Sequence, residues 1–166
     1  MRVSDIMTTD VLTVSPNDRI EKAARLIAEH GISGVLVVDK GRLVGKVSHS
    51  DLLKRLFPTH SELYEDWAHN HDFEQLEMRA SELIECKVVD CMSEDAIAID
   101  GDAPVMKAAS GMLLKDVHRV AVTDDDQKLM GIVSRGDIFY HTLQNALETS
   151  AMEPEASLSK STPAEV

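Results

Sequence analysis

The sequence predicts an α/β (α+β) chain of two pseudo-symmetric halves, each holding three short strands and two helices. Three observations carry that expectation. Gly45-Lys46-Val47-Ser48-His49-Ser50-Asp51 returns as Gly131-Ile132-Val133-Ser134-Arg135-Gly136-Asp137, 86 residues later. Val3-Ser4-Asp5-Ile6-Met7 returns as Val88-Val89-Asp90-Cys91-Met92, 85 residues later. Between these strings, strand-like runs and helical stripes alternate in the same order both times, and self-similarity at a fixed period governs the fold class. The one-residue slip falls between Asp39-Lys40-Gly41-Arg42-Leu43 and Asp124-Asp125-Asp126-Gln127-Lys128-Leu129, a polar turn where an insertion is tolerated.

In the first half, Val11-Leu12-Thr13-Val14 reads as a strand closed by Ser15-Pro16. Asn17 or Asp18 is placed to cap a helix whose apolar stripe is Ile20, Ala23, Ala24 and Ile27. Gly31 ends it as a left-handed residue. Val35-Leu36-Val37-Val38 is a continuous run suited to a buried strand, and Leu43 to Val47 forms the next. A helix then opens at Ser48 to Asp51 and carries Leu52, Leu53 and Leu56. The second half repeats the order. Ala96-Ile97-Ala98-Ile99 is the strand, Asp102 the cap, and Val105, Ala108, Ala109 and Met112 the stripe. Gly111 weakens that helix, since a mid-helix glycine costs about 1 kcal/mol against alanine. Val120-Ala121-Val122 and Leu129 to Val133 are its strands, and a helix from Asp137 carries Ile138, Phe139 and Leu143.

The stretch from Phe57 to Glu85 is too long for a plain turn. It sets eight carboxylates against Arg79 alone, while Phe73, Leu76, Ala80 and Leu83 step at helical spacing. Tyr64 and Trp67 share a second helical face. The composition beyond Glu148 is that of a disordered tail. A net charge of −12 opposes nucleic acid or an anionic membrane as the main partner, because both need a positive face. A hydrophobic content of 43% with only 4% aromatics makes the core aliphatic. No apolar run approaches the roughly 20 residues of a membrane span, and no secretory h-region is visible, so a cytoplasmic protein with Cys86 and Cys91 as reduced thiols is expected.

Several strings together resemble a tandem pair of cystathionine-β-synthase (CBS) domains. They are Asp5-Ile6-Met7 leading the chain, Val35-Leu36-Val37-Val38-Asp39 and Val117-His118-Arg119-Val120-Ala121-Val122 in mid-unit, and the two Gly-x-Val-Ser-x-x-Asp strings. The resemblance covers residues 3–56 and 88–145. It implies two pseudo-twofold-related CBS domains, each a small three-stranded sheet packed on two helices, with two clefts between them. The corresponding domains are 1–56 and 87–146, flanking an acidic, partly helical insert at 57–86 and followed by a disordered tail at 147–166. It further implies a stand-alone regulatory module that binds an adenosine-containing ligand, associates as a homodimer and regulates an unidentified protein partner.

The two Ser-x-x-Asp strings carry the chemistry. Ser48 with Asp51, and Ser134 with Asp137, fall where a strand hands over to a helix, so unpaired backbone N–H groups suit a phosphate. An ionised carboxylate only accepts, which suits the O–H pair of a ribose. Ser-x-x-Asp is equally a helix-capping arrangement, and that reading stands beside the first. The second copy adds Arg135, His118 and Arg119, cations suited to phosphate and similar to those some family members use. The first copy has Ser33-Gly34 and His49 at those positions, although paired domains allow a cleft to borrow side chains from the opposite repeat. Val11 and Ile32, with Ala96, Val117 and Ile132, match family positions lining the adenine slot, and apolar residues there serve a core equally well.

The expected ligand is AMP, ADP, ATP or another adenosyl compound, an oligophosphate bringing Mg²⁺ with it. No catalytic cofactor is expected. His60, His69 and His71 with Glu65 and Asp66 lack the spacing of a metal site, and Asp124-Asp125-Asp126 lacks the rest of a calcium loop. No nucleophile elbow, P-loop or paired-acid motif appears, so the chain reads as a non-enzyme. The alternative is a constitutively dimeric protein-interaction module whose clefts are degenerate and bind nothing.

Overall fold

The computed structural model describes residues 1–56 and 73–152. A 3-10 turn at Val3–Asp5 precedes β1 (Thr13–Val14), α1 (Ile20–His30), β2 (Gly34–Asp39), β3 (Arg42–Ser48) and α2 (His49–Leu56). Next come α3 (Phe73–Glu85) and a short α4 (Val88–Cys91). The second half runs β4 (Ala98–Asp100), α5 (Val105–Leu114), β5 (Arg119–Thr123), β6 (Leu129–Ser134) and α6 (Arg135–Met152). Each half builds a three-stranded sheet in the same order, β1-β2-β3 and β4-β5-β6. The first pair in each is parallel and the second antiparallel. This is the mixed α/β architecture expected from the repeat.

The halves are joined by exchanging their leading segments. Val3 and Ile6 lie in the core of the second half, with Val105, Met112, Val122 and Val133. Val88 and Cys91 lie in the core of the first, with Val14, Ile20, Val37 and Val47. Val3 and Val88 are both fully buried. The backbone follows the same exchange. Thr8 and Ile132 trade N–H···O bonds of 2.9 Å each way, and Ser93 and Lys46 do so at 2.9 Å each way. These pairs are equivalent under the repeat, and they explain the glycine of each Gly-x-x-Ser-x-x-Asp string. A Cβ on Gly45 would stand 2.6 Å from the Ser93 carbonyl, and one on Gly131 2.7 Å from the Thr8 carbonyl.

The exchange also corrects the expected helix caps. Neither Asn17 nor Asp18 caps α1, which starts at Ile20 after Arg19. The Ile20 N–H is instead satisfied by the Cys86 carbonyl at 2.9 Å, and the Val88 N–H reaches the Asp18 carbonyl at 2.8 Å. Asp18 turns its carboxylate to the Ser15 N–H and the Lys22 ammonium. Asp102 likewise does not cap α5, whose Val105 N–H reaches the Met1 carbonyl at 3.3 Å. Chain from the opposite repeat thus does the work assigned to a side chain. At the far ends the sequence reading holds: Gly31 adopts φ +60°, and Asp116, its counterpart, takes the same left-handed region at φ +49°.

The slip of one residue falls in the hairpin turns. Lys40 and Gly41 form a two-residue turn with both φ positive, as a tight hairpin requires. The second turn is longer, and Asp124 ties it by accepting from the Asp126 and Lys128 N–H groups. The turns meet each other: Leu43 N–H donates to Gln127 O and Leu129 N–H to Gly41 O. The strands expected at Val11–Val14 and Ala96–Ile99 start later, at Thr13 and Ala98, and Val11, Leu12, Ala96 and Ile97 line the cleft between the halves, the Ile97 carbonyl still accepting the Ala121 N–H at 3.0 Å. The insert contributes α3, which packs on α1 and α2 with Leu83 against the first core. Tyr64, Trp67, His60, His69, His71, Glu65 and Asp66 lie outside the described residues. At the other end, α6 runs on to Met152, so the tail placed from 147 begins as helix. Among the described residues no helix is long and apolar enough to cross a membrane.

The glycine contacts give opposite expectations in urea unfolding. Gly45→Ala and Gly131→Ala should each lose about 1–3 kcal/mol, because backbone stands in the way of the new methyl. Gly111→Ala meets nothing within 4 Å and should gain about 1 kcal/mol.

Candidate functional site

The two strand-to-helix junctions are built alike. In each, one carboxylate oxygen (Oδ2) takes the serine N–H, at 2.8 Å for Ser48–Asp51 and 2.8 Å for Ser134–Asp137. The same oxygen takes the serine hydroxyl, at 2.6 Å and 2.7 Å. Each serine Oγ accepts the aspartate N–H in return, at 3.2 Å and 3.1 Å. The capping role is therefore real in both copies, and it leaves one carboxylate oxygen, Oδ1, for other use.

That second oxygen separates the copies. Oδ1 of Asp51 accepts a 2.7 Å hydrogen bond from the Ser93 hydroxyl, which the exchanged segment carries in from the other half. Oδ1 of Asp137 has no hydrogen-bond partner among the described residues. Burial pushes the Asp51 carboxyl up, but the hydrogen bonds from Ser48 and Ser93 and the nearby Lys46 charge outweigh it, so the group sits below the usual carboxylate range. Lys46 in turn lies 3.4 Å from Asp95.

A cavity of about 550 Å³ opens between the halves and takes its walls from both. Of the residues singled out from sequence, Val11, Ile32 and Ser48 line it from the first half. Ala96, Val117, His118, Arg119, Ile132, Ser134 and Asp137 line it from the second. Asp51 and Arg135 do not. Asp51 is turned to Ser48 and Ser93, as described. Arg135 directs its guanidinium into the protein, donating to the Val117 carbonyl at 2.8 Å and the Met112 carbonyl at 2.9 Å, with Asp116 at 3.4 Å. It pins the end of α5 to the start of α6.

Sequence reasoning passed over Thr8, Asp10, Ser33 and Lys46 in the lining, and Ser93 beside it. A usable signal existed: Thr8 and Ser93 are 85 residues apart, the same offset as the leading segments. Basic side chains on the cavity come from both halves, Lys46 from β3, Arg119 from the start of β5 and His118 just before it. Arg119 makes no ion pair or side-chain hydrogen bond among the described residues. Its counterpart is Gly34, where a Cβ would stand 2.6 Å from the Val47 carbonyl, so the first half has no room for a matching side chain.

A family model described as CBS domain matches residues 3–58 and again 88–143. The chain is 31% identical over 150 residues to uncharacterized protein MJ1426 of Methanocaldococcus jannaschii, covering 83% of this chain and 89% of that one. It is 27% identical over 136 residues to uncharacterized protein MJ1225 of the same organism, covering 82% of this chain but 45% of the other. The chain thus spans less than half the length of that curated relative. Among solved structures, that of CBSX2 in complex with AMP is 29% identical, with a TM-score of 0.65, covering 87% of this chain and 98% of that one. CBSX2 is a CBS-pair protein from Arabidopsis thaliana.

A carboxyl held below its ordinary value stabilises the fold above the unfolded value of about 3.9, and that contribution is lost as pH falls through the folded value. Asp51→Asn should therefore be clearly less stable than the wild type at pH 7. The gap should close as urea titrations move below about pH 4. A gap independent of pH would show that the charge of Asp51 contributes nothing.

Proposed function

Because the chain belongs to the CBS domain family, as a tandem pair, we propose that the cavity between its halves holds an adenine nucleotide or another adenosyl compound, and that occupancy regulates a protein partner without chemistry. One observation carries the reading: Asp137 lines the cavity with a carboxylate oxygen that has no partner among the described residues, on the same wall as Arg119, whose side chain has none among them either. An ionised carboxylate accepts the O–H groups of a ribose, and a guanidinium binds phosphate through two parallel N–H bonds. His118 and Lys46 add donors to the same cavity, while Val117, Ala96, Ile132, Val11 and Ile32 offer the apolar surface an adenine ring needs. The complex of CBSX2 with AMP supports this ligand class. A triphosphate would bring Mg²⁺ with its charge.

The regulatory step is a population shift. A ligand touching both halves favours one relative setting of the sheets, by no more than its difference in affinity for the two settings. The readable surface lies on α5 and α6, which pack together and leave Leu113, Leu114, Phe139, Tyr140, Leu143 and Leu147 exposed, Leu114 at 87%. An apolar face of this kind marks an interaction site. We assign it to a second copy of the chain, in a homodimer that works in the cytoplasm.

Thermal shift with AMP, ADP, ATP, NAD and S-adenosylmethionine, with and without Mg²⁺, tests the ligand. A ligand at 100 times its Kd should add about 2.7 kcal/mol, and Arg119→Gln should weaken a phosphate-bearing ligand about tenfold. A flat screen on folded protein would overturn the reading in favour of an interaction module. Light scattering tests the dimer: the wild type should have the mass of two chains, and Leu143→Glu/Leu147→Glu that of one.

A further inference from the structure

We propose that Ser93 latches the carboxylate of the first half, so that the cavity takes one adenosyl ligand, seated on Asp137, rather than two. The inference rests on the adenosyl reading of the cavity. Its basis is a difference at one carboxylate oxygen. The capping bonds of Ser48–Asp51 and Ser134–Asp137 agree to within 0.1 Å, so the two carboxylates are presented alike on Oδ2. On Oδ1, Asp51 is closed by the Ser93 hydroxyl at 2.7 Å, and Asp137 has no partner among the described residues. The closing residue belongs to the exchanged segment. Its counterpart is Thr8, which makes the same backbone pair with the opposite half yet leaves its hydroxyl off Asp137.

Two further features bind the latch. Lys46 helps hold Asp51 ionised, which strengthens a hydroxyl-to-carboxylate bond, and the corresponding position in the second half is the uncharged Ile132. Asp51 is also absent from the cavity wall, whereas Asp137 forms part of it. A ribose approaching Asp51 must first displace a charge-assisted hydrogen bond that a ribose approaching Asp137 does not meet. A bond of that kind corresponds to about tenfold to a hundredfold in affinity. Ser93 is thus a specificity-determining residue, setting how many ligands each chain takes by acting through Asp51.

Isothermal titration of the full chain with AMP counts the sites. The wild type should bind one AMP per chain, and Asp137→Asn should lose that binding rather than retain it. Ser93→Ala should bind a second AMP, and Ser93→Ala/Asp51→Asn should return to one. Two AMP per wild-type chain, binding that survives Asp137→Asn undiminished, or a folded Ser93→Ala that still takes one, would each overturn the latch and leave the adenosyl reading standing. A wild type that binds no AMP or other adenosyl compound overturns both. Should Ser93→Ala not fold, the wild type and Asp137→Asn decide the question between them.

Discussion

The structure depends on an exchange: each half lends the chain that leads into it to the core of the other. Val3 and Ile6 complete one core, and Val88 and Cys91 the other. A domain of this length buries too little surface on its own to be comfortably stable. Trading segments lets two small sheets share their burial, and it satisfies the first N–H of α1 and of α5 with carbonyls from across the boundary. The halves are therefore not two beads on a linker. Their relative setting is governed by this packing, so a ligand that touches both walls acts on contacts the exchange has made.

The same exchange delivers the chemistry of the cleft. Pairing of Thr8 with Ile132 and of Ser93 with Lys46 brings one hydroxyl residue from each leading segment beside the opposite Ser-x-x-Asp junction. That pairing is close enough to demand glycine at 45 and 131. Although the two segments differ at several positions, the capping bonds of the junctions they reach agree closely. A small difference in chain is enough to leave one carboxylate oxygen satisfied and the other free, and a free acceptor on a cavity wall invites a ligand in a way a satisfied one does not. Near-symmetry with one broken bond thus turns a duplicated structural unit into two junctions whose carboxylates are unequally available.

Arginine shows how far position in sequence is from position in space. Arg135 follows Ser134 directly, where adjacency alone would give it to a phosphate, yet α6 turns it to the Met112 and Val117 carbonyls at the end of α5. Arg119 lies 16 residues earlier in the chain and stands on the cavity without an ion pair or side-chain hydrogen bond among the described residues. The helix that begins at Arg135 rotates each successive side chain by about 100°, so neighbours in sequence point to different places.

The order of elements, the two-strand pattern of each hairpin, the buried stripes of α1 and α5 and the left-handed stop at Gly31 were all legible in the sequence, because periodicity and local conformational preference act over a few residues. So was the pairing of Ser48 with Asp51 and Ser134 with Asp137, which is a local cap. The helix starts were not, since Ile20 and Val105 take their partners from chain 66 and 104 residues away, at Cys86 and Met1. Nor were the strand starts, which lie at Thr13 and Ala98 while Val11, Leu12, Ala96 and Ile97 line the cavity. The repeat offset pairs Ser93 with Thr8, but its bond to Asp51, across 42 residues, leaves no mark on the local pattern. Sequence by itself determined what each half is. How the halves interlock, and which carboxylate that leaves open, was decided by tertiary contact alone, where the energy lies in pairs that no short window of sequence contains.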